Sequence, residues 1–324
     1  MKIKNTSNKL KGLISQDALE AGFDTTISPK NLRVSREFRD EFVQKYGKDV
    51  CSILRYDMKI KHTDLSRMQR GGGYAESQHK NKEKFSDGSL SSFSKTGFVA
   101  RDRKNYLSTF PMNVGRIIIG LYAPDNCSVY DPFAGHNSRM ELCFSLGHNY
   151  TGVDICKEFM EGNRKIRNFL LERKQRTLLK TEQSIELIEG SSTDLPQLKS
   201  NSYDFTITSP PYWDIENYGP EPEQLGIGKT YEEFLSGLQL CANENYRVLK
   251  PGSFCCWFIN DFRKNGKFYP YHIDTYNVLI KSGFDPFNIY IVDLKNTPNK
   301  AFVRWIVKTR ILPKQHEYVI IVKK

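Results

Sequence analysis

From about Tyr106 to the carboxyl end, short apolar runs alternate with segments of helical periodicity, and polar stretches separate them. Runs rich in β-branched and aromatic residues occupy 128–133, 149–155, 184–189, 204–208, 253–260, 287–293 and 317–322. Several are apolar at successive positions, as expected of strands covered on both faces. With helices between them, the pattern predicts an α/β fold: a doubly wound, seven-stranded, mostly parallel sheet. The clearest helix spans 230–249. Thr230 and Glu233 are spaced as a capping box, Phe234, Leu235, Leu238, Cys241 and Ala242 mark one face, and Lys250-Pro251-Gly252 is expected to end it.

The first hundred residues lack that rhythm. Positions 35–54 suit one or two amphipathic helices, whereas Gly71-Gly72-Gly73 and the polar run 76–94 read as loop. The chain therefore divides into an amino-terminal region, 1–105, and an α/β domain, 106–324. The first is either a small domain or arms that order on contact with nucleic acid.

Charge sharpens this division. The 324 residues carry 48 Lys and Arg against 37 Asp and Glu, a net +11. Residues 1–110 hold 22 of the cations and 13 of the acids, so nine of the eleven net charges fall in the first third. A polyanionic partner is favoured, because each neutralised phosphate releases counterions. Seven cysteines, with no CxxC pair and with Cys255-Cys256 inside an apolar run, fit reduced core positions better than a disulfide framework or a zinc site. The six histidines are scattered, so no metal is expected. No stretch approaches a membrane span and the amino terminus lacks an apolar signal segment, so a soluble cytoplasmic protein is expected.

Three segments carry candidate chemistry. In Asp131-Pro132-Phe133-Ala134-Gly135 a strand ends in a carboxylate, a proline and a glycine just before a helix starting near Ser138. At the carboxyl end of a central strand, such a turn lets backbone approach a nucleoside cofactor with Asp131 beside its polar groups. The same residues also suit an ordinary strand-to-helix turn. Asp154 ends the next strand about twenty residues on, where a carboxylate accepts from ribose hydroxyls. Asp194 follows the third strand and is placed either to accept from an adenine amine or on a surface loop.

The third segment, Ser209-Pro210-Pro211-Tyr212, follows a buried strand. Two prolines stop the ladder, since neither donates an N–H, and leave carbonyls fixed in direction. The lone pair of an exocyclic base amine is delocalised into its ring. Two acceptors holding its hydrogens, the Ser209 side chain and the Pro210 carbonyl, favour the pyramidal nitrogen that attacks a methyl group. Tyr212 or Trp213 offers a face on which an extruded base stacks. An edge-strand stop with a core aromatic is the other reading.

Taken in order, Ser108-Thr109-Phe110-Pro111, Asp131-Pro132-Phe133-Ala134-Gly135, Asp154, Asp194 and Ser209-Pro210-Pro211-Tyr212 resemble the motifs of the amino-methyltransferases that modify cytosine N4 or adenine N6 in DNA. The resemblance covers about 106–324. It implies a Rossmann-like methyltransferase fold with an antiparallel last strand, S-adenosylmethionine as cofactor, and double-stranded DNA with a flipped base as partner. It implies that Ser108, Thr109, Phe110, Asp131, Phe133 and Gly135 line the cofactor site, Asp154 takes the ribose hydroxyls and Asp194 faces the adenine. Ser209, Pro210, Pro211 and Tyr212 then hold the target amine. Serine at the first catalytic position is the family's usual choice for cytosine N4, so that base is favoured over adenine N6. RNA amino-methylation, or DNA binding without catalysis on the same fold, are the other readings, and a restriction-modification setting is compatible with the first.

His136-Asn137-Ser138-Arg139 replaces the small residues usual after the first motif. No long insertion supplies a target-recognition domain, so sequence recognition is expected either in residues 1–105 or to be weak. Two basic stretches suit nucleic-acid contact or merely a solvated surface: Lys300, Arg304, Lys308, Arg310 and Lys314 with Phe302 and Trp305, and Arg67, Arg70, Lys80, Lys82 and Lys84.

Overall fold

The computed structural model describes residues 53–55, 110–175, 183–216, 218, 220–294, 306–312 and 314–324. Ten strands and five helices follow one another as β1 (Ile53–Arg55), α1 (Met112–Tyr122), β2 (Ser128–Asp131), α2 (Ser138–Ser145), β3 (Asn149–Asp154), α3 (Lys157–Gln175), β4 (Ile185–Glu189), β5 (Tyr203–Thr208), α4 (Tyr231–Val248), β6 (Leu249–Ile259), β7 (Phe262–Lys264), β8 (Lys267–Tyr269), α5 (Tyr271–Lys281), β9 (Asp285–Asp293) and β10 (His316–Lys323).

The main sheet has the order β1-β9-β10-β6-β5-β2-β3-β4. β10 runs antiparallel to both β6 and β9, and the other pairings are parallel. All seven strands read from the apolar pattern are present, with the last one antiparallel. From β2 the chain moves outward through β3 and β4, then returns to the other side of β2 as β5. The order reverses there, so the loops leaving β2 and β5 diverge around a crevice at the carboxyl edge, where ligands bind in open α/β sheets.

Both faces of the sheet are covered. One packs Phe205, Ile207, Phe258 and Val319 against Val114 and Ile118 of α1 and Met140 and Leu142 of α2. The other packs Trp257, Ile259 and Ile320 against Phe234 and Leu238 of α4 and Tyr271 and Leu279 of α5. The α4 capping box forms as expected: Thr230 Oγ1 accepts from Glu233 N at 3.2 Å and Glu233 Oε2 accepts from Thr230 N at 2.7 Å. The six described cysteines are free and buried. No helix among the described residues is long and apolar enough to cross a membrane.

Three details differ from the sequence reading. α4 ends at Val248 and β6 begins at once, so Lys250-Pro251-Gly252 lies inside a strand start. Pairing jumps there from Tyr203–Leu249 to Phe205–Phe254, and Gly252 takes φ +83°. Ile53 and Leu54, placed by periodicity at the end of a helix, form an edge strand parallel to β9, with Leu54 buried. This eighth strand lies within the segment assigned to the amino-terminal region. Finally, β7 and β8 make a hairpin around Asn265 (φ +50°) and Gly266 (φ +79°), the two positive φ angles of a type I′ turn.

Candidate active site

Asp131 ends β2 fully buried, and four donors from three directions converge on its carboxylate. Thr208 Oγ1 at the end of β5 donates to Oδ1 at 2.6 Å, and the Phe133 N–H to the same oxygen at 3.2 Å. Tyr150 Oη on β3 and Arg139 Nε on α2 donate to Oδ2 at 2.8 and 2.7 Å. A buried ion pair must recover a large desolvation cost, and these extra hydrogen bonds are how the Asp131–Arg139 pair does so. Burial alone depresses the Arg139 pKa, but Asp131 and the Tyr150 hydroxyl outweigh it and hold the guanidinium above its usual value. The Arg139 Nη2 also donates to the carbonyls of Phe133 and Ala134, so this arginine laces the whole loop. Asp131 therefore ties three strand ends and a helix together.

The same loop lies over β3. Ala134 N donates to the Val153 carbonyl at 2.8 Å, and Gly135 N to Asp154 Oδ2 at 2.7 Å. Gly135 takes φ +49°, a conformation open to glycine at no steric cost. Cys156 N donates to Asp154 Oδ1 at 2.9 Å, leaving each carboxylate oxygen a second lone-pair direction. Desolvation by burial pushes the Asp154 carboxyl up to about 6 even against these two amides. Asn163 Nδ2 on α3 holds the Gly135 carbonyl at 2.8 Å.

Around this loop sit polar atoms that no group among the described residues satisfies: both side-chain atoms of fully buried Asn137, Asn163 Oδ1 and His136 Nδ1. Burial and Arg139 lower the His136 pKa to about 4, so its imidazole is neutral at pH 7. Buried unsatisfied polar groups cost roughly 1–3 kcal/mol each, and a polar ligand at this edge would relieve them. With the free acceptor directions of Asp154, the set fits a nucleoside that carries an amino-acid tail.

β5 delivers the second motif directly after Thr208. The Pro211 carbonyl accepts from Tyr271 Oη at 2.8 Å, and the Tyr212 carbonyl from Ile215 N at 3.0 Å, which closes a turn. Trp213 sits at φ +49°. Its indole N–H donates to the Lys229 carbonyl at 2.9 Å, and its ring packs on Tyr231 and Tyr269, 5.4 and 5.3 Å between centroids. A Cβ at Gly226 would stand 2.0 Å from the Trp213 carbonyl oxygen, so only glycine allows this approach. Of the two aromatics offered for stacking, Trp213 is thus engaged within the protein. Tyr212 meets Tyr271 only edge-on, at 5.9 Å. Burial, with Glu317 and Glu216 nearby, drives the Tyr212 hydroxyl far above its ordinary pKa, and Ser209 hydrogen-bonds it.

The sequence-predicted residues thus separate. Asp131, Gly135 and Asp154 share one network, and Ser209 to Tyr212 adjoin it through Thr208. Phe110 is buried against Phe258 with the Arg139 guanidinium 5.2 Å from its ring centre, and Phe133 packs edge-on to Trp257. Asp194 is exposed in the loop after β4, which Ser192 fastens to the Pro132 carbonyl. Ser108, Thr109, the glycine run and its flanking cations, Lys300, Phe302, Arg304 and Trp305 lie outside the described residues; Lys308, Arg310 and Lys314 are exposed.

Sequence reasoning missed Arg139, Tyr150 and Thr208 as partners of Asp131, and Tyr271 behind Pro211. It also missed Glu317, whose carboxyl burial pushes up to about 7, against the pull of Lys314 and with Glu216 adding to it. Asp261 and His272, 2.6 Å apart, form a further pair after β6. Only Arg139 left a signal, as a large cation where small residues are usual.

The fold is that of an α/β protein with a methyltransferase-type sheet, seven strands of which are the expected ones, with β10 antiparallel. Residues 203–324, from β5 onward, match the family model described as DNA methylase. A 64-residue stretch is 44% identical to the Type II methyltransferase M.XycI of Xanthomonas campestris pv. cyanopsidis. That stretch covers 19% of this chain and 21% of the relative, so the match spans about a fifth of the relative's length. Among solved structures, a SAM-dependent methyltransferase of Methanosarcina mazei is 16% identical, with 67% of this chain and 99% of that one covered at a TM-score of 0.43. TrmN of Thermus thermophilus is 12% identical, with 67% and 50% covered at 0.42.

Proposed function

We propose that this protein is an S-adenosylmethionine-dependent DNA methyltransferase acting on the exocyclic amine of a base drawn out of the duplex, with cytosine N4 as the acceptor. The observation that carries the reading is the 2.6 Å bond from Thr208 to Asp131. It fastens the residue just before Ser209 to the carboxylate that organises the loop after β2, so a nucleoside-binding loop and an amine-binding turn share one rigid edge. The DNA methylase match over 203–324 supports the chemistry.

In this reading Asp154 accepts from the ribose hydroxyls, while Asn137 and His136 meet the amino-acid tail. Asp131 and Arg139 act indirectly by shaping the loop. When bound, S-adenosylmethionine supplies a methyl group activated on a sulfonium. Ser209 Oγ and the Pro210 carbonyl accept the two amine hydrogens, and the Tyr212 ring supports the base. Proximity and alignment then supply much of the rate, and the amine proton leaves to solvent. Serine rather than an acidic residue at 209 favours cytosine, and residues 1–105, with their nine net positive charges, grip the duplex.

The test is transfer of labelled methyl groups to duplex DNA of varied sequence, followed by nucleoside mass spectrometry. N4-methylcytosine is expected. N6-methyladenine would overturn the choice of base, and absence of both products would overturn the activity.

A further inference from the structure

The β7–β8 hairpin lies at the same sheet edge as the catalytic turn, and its two faces differ. Cross-strand partners share a face, so the register Phe262–Tyr269, Arg263–Phe268 and Lys264–Lys267 sorts the side chains. One face is committed inward. Phe262 and Tyr269 stack at 5.2 Å and 19°, both rings lie against Trp213, and the Lys264 ammonium sits 4.2 Å from the Trp213 ring centre while pairing with Asp214. A two-stranded ribbon is marginal alone, so this packing holds it to the residue immediately after Tyr212.

The other face holds Arg263 and Phe268. Phe268 is 46% exposed, and the Arg263 guanidinium stands 5.0 Å from its ring centre. Lys267 pairs with Lys264 and so belongs to the first face, its ammonium 5.0 Å from the Tyr269 ring centre, but it is exposed at the Asn265-Gly266 tip. Segment 262–269 contains three cations and no acid. Two neighbouring carboxylates pair elsewhere, Asp214 with Lys264 and Asp261 with His272. Neither Arg263 nor Lys267 forms an ion pair with another described residue, so Arg263 beside Phe268 on the outer face and Lys267 at the tip both present charge on an element whose position relative to Ser209–Tyr212 is fixed by packing.

We propose that this hairpin engages the DNA beside the target base: Arg263 and Lys267 neutralise phosphates flanking the extruded nucleotide, and Phe268 packs against the base step it leaves behind. The inference rests on the DNA methyltransferase reading and adds the contact element. Phosphate contacts set register on the duplex without reading sequence, and an apolar side chain at an unstacked step is a recurrent partner of such contacts. The ribbon is short and rigid, so it orients the duplex relative to the amine acceptors without itself choosing the sequence.

The test uses the full chain and a labelled duplex, with affinity measured from 50 to 200 mM salt. Each lost phosphate contact lowers the slope of log affinity against log salt by about 0.9, so Arg263→Gln and Lys267→Gln are each expected to lower it by about that amount, and the double variant by about 1.8. Phe268→Ala is expected to keep the slope and to weaken the emission rise of a 2-aminopurine at the target position. Calorimetry with S-adenosylmethionine checks that the site remains intact in each variant. An unchanged slope in both single variants, or unchanged 2-aminopurine emission in Phe268→Ala, overturns the corresponding role. Tighter hairpin-dependent binding to an RNA duplex overturns the choice of DNA as partner. Failure of the underlying reading is distinct, since the wild-type chain would then bind neither cofactor nor duplex.

Discussion

The loop after β2 and the turn after β5 lie on adjacent strands, yet they are stiffened by opposite means. The first is held by charge: a buried carboxylate with four donors, a laced arginine and a glycine amide on Asp154. The second is held by prolines and rings: Pro210 and Pro211, the Tyr271 hydroxyl behind them and Trp213 wedged among aromatics. The difference suits the proposed tasks. A cofactor loop must offer polar atoms, and a dense network shapes them. An amine-binding turn must offer a few acceptors held still without competing donors.

Breaking the charged region should have the largest effect. Asp131→Ala strands the Arg139 cation in the interior, and a loss of about 3–5 kcal/mol in urea unfolding is expected. Replacing both partners with apolar residues, Asp131→Leu with Arg139→Met, should recover much of it. Next comes the turn. Ser209→Ala should lower transfer at saturating cofactor by about a hundredfold or more with little change in stability, which separates the two regions by readout.

The charged loop also responds to pH. The Asp154 carboxyl stands at about 6, above its ordinary 3.8. A raised acid contributes to stability below its ordinary value, and that contribution is lost as pH rises through 6. Capture of the ribose needs the ionised form and runs the other way, so cofactor affinity should fall about tenfold between pH 8 and pH 5. The smallest effect belongs to Tyr271→Phe, which removes the donor to the Pro211 carbonyl. About 1 kcal/mol of stability should go, together with a lower kcat at unchanged cofactor affinity.

What the sequence made readable follows the range of the interactions. The seven strands were readable because each is a run of apolar residues bounded by turn formers, and α4 announced itself through Thr230 and Glu233. The motif positions were readable as local signals of carboxylate, proline and glycine. The role of Asp131 was not, because its donors Arg139, Tyr150 and Thr208 are 8, 19 and 77 positions away. Strands of three residues carry no periodicity, which hid β1 and the β7–β8 hairpin, although Asn265-Gly266 is a hairpin turn signal. Trp213 and Tyr212 were equivalent as neighbouring aromatics. The Lys229 carbonyl, the Tyr231, Tyr269 and Phe262 rings and the Lys264 ammonium, all on Trp213, distinguish them.

On the proposed function, cofactor capture resides in the loops after β2 and β3, and amine capture in the turn after β5. Calorimetric titration of S-adenosylmethionine into the wild-type chain and the Ser209→Ala variant tests it most directly. Binding to both with closely similar Kd is predicted. No binding to the wild type, or binding lost in Ser209→Ala, would contradict it.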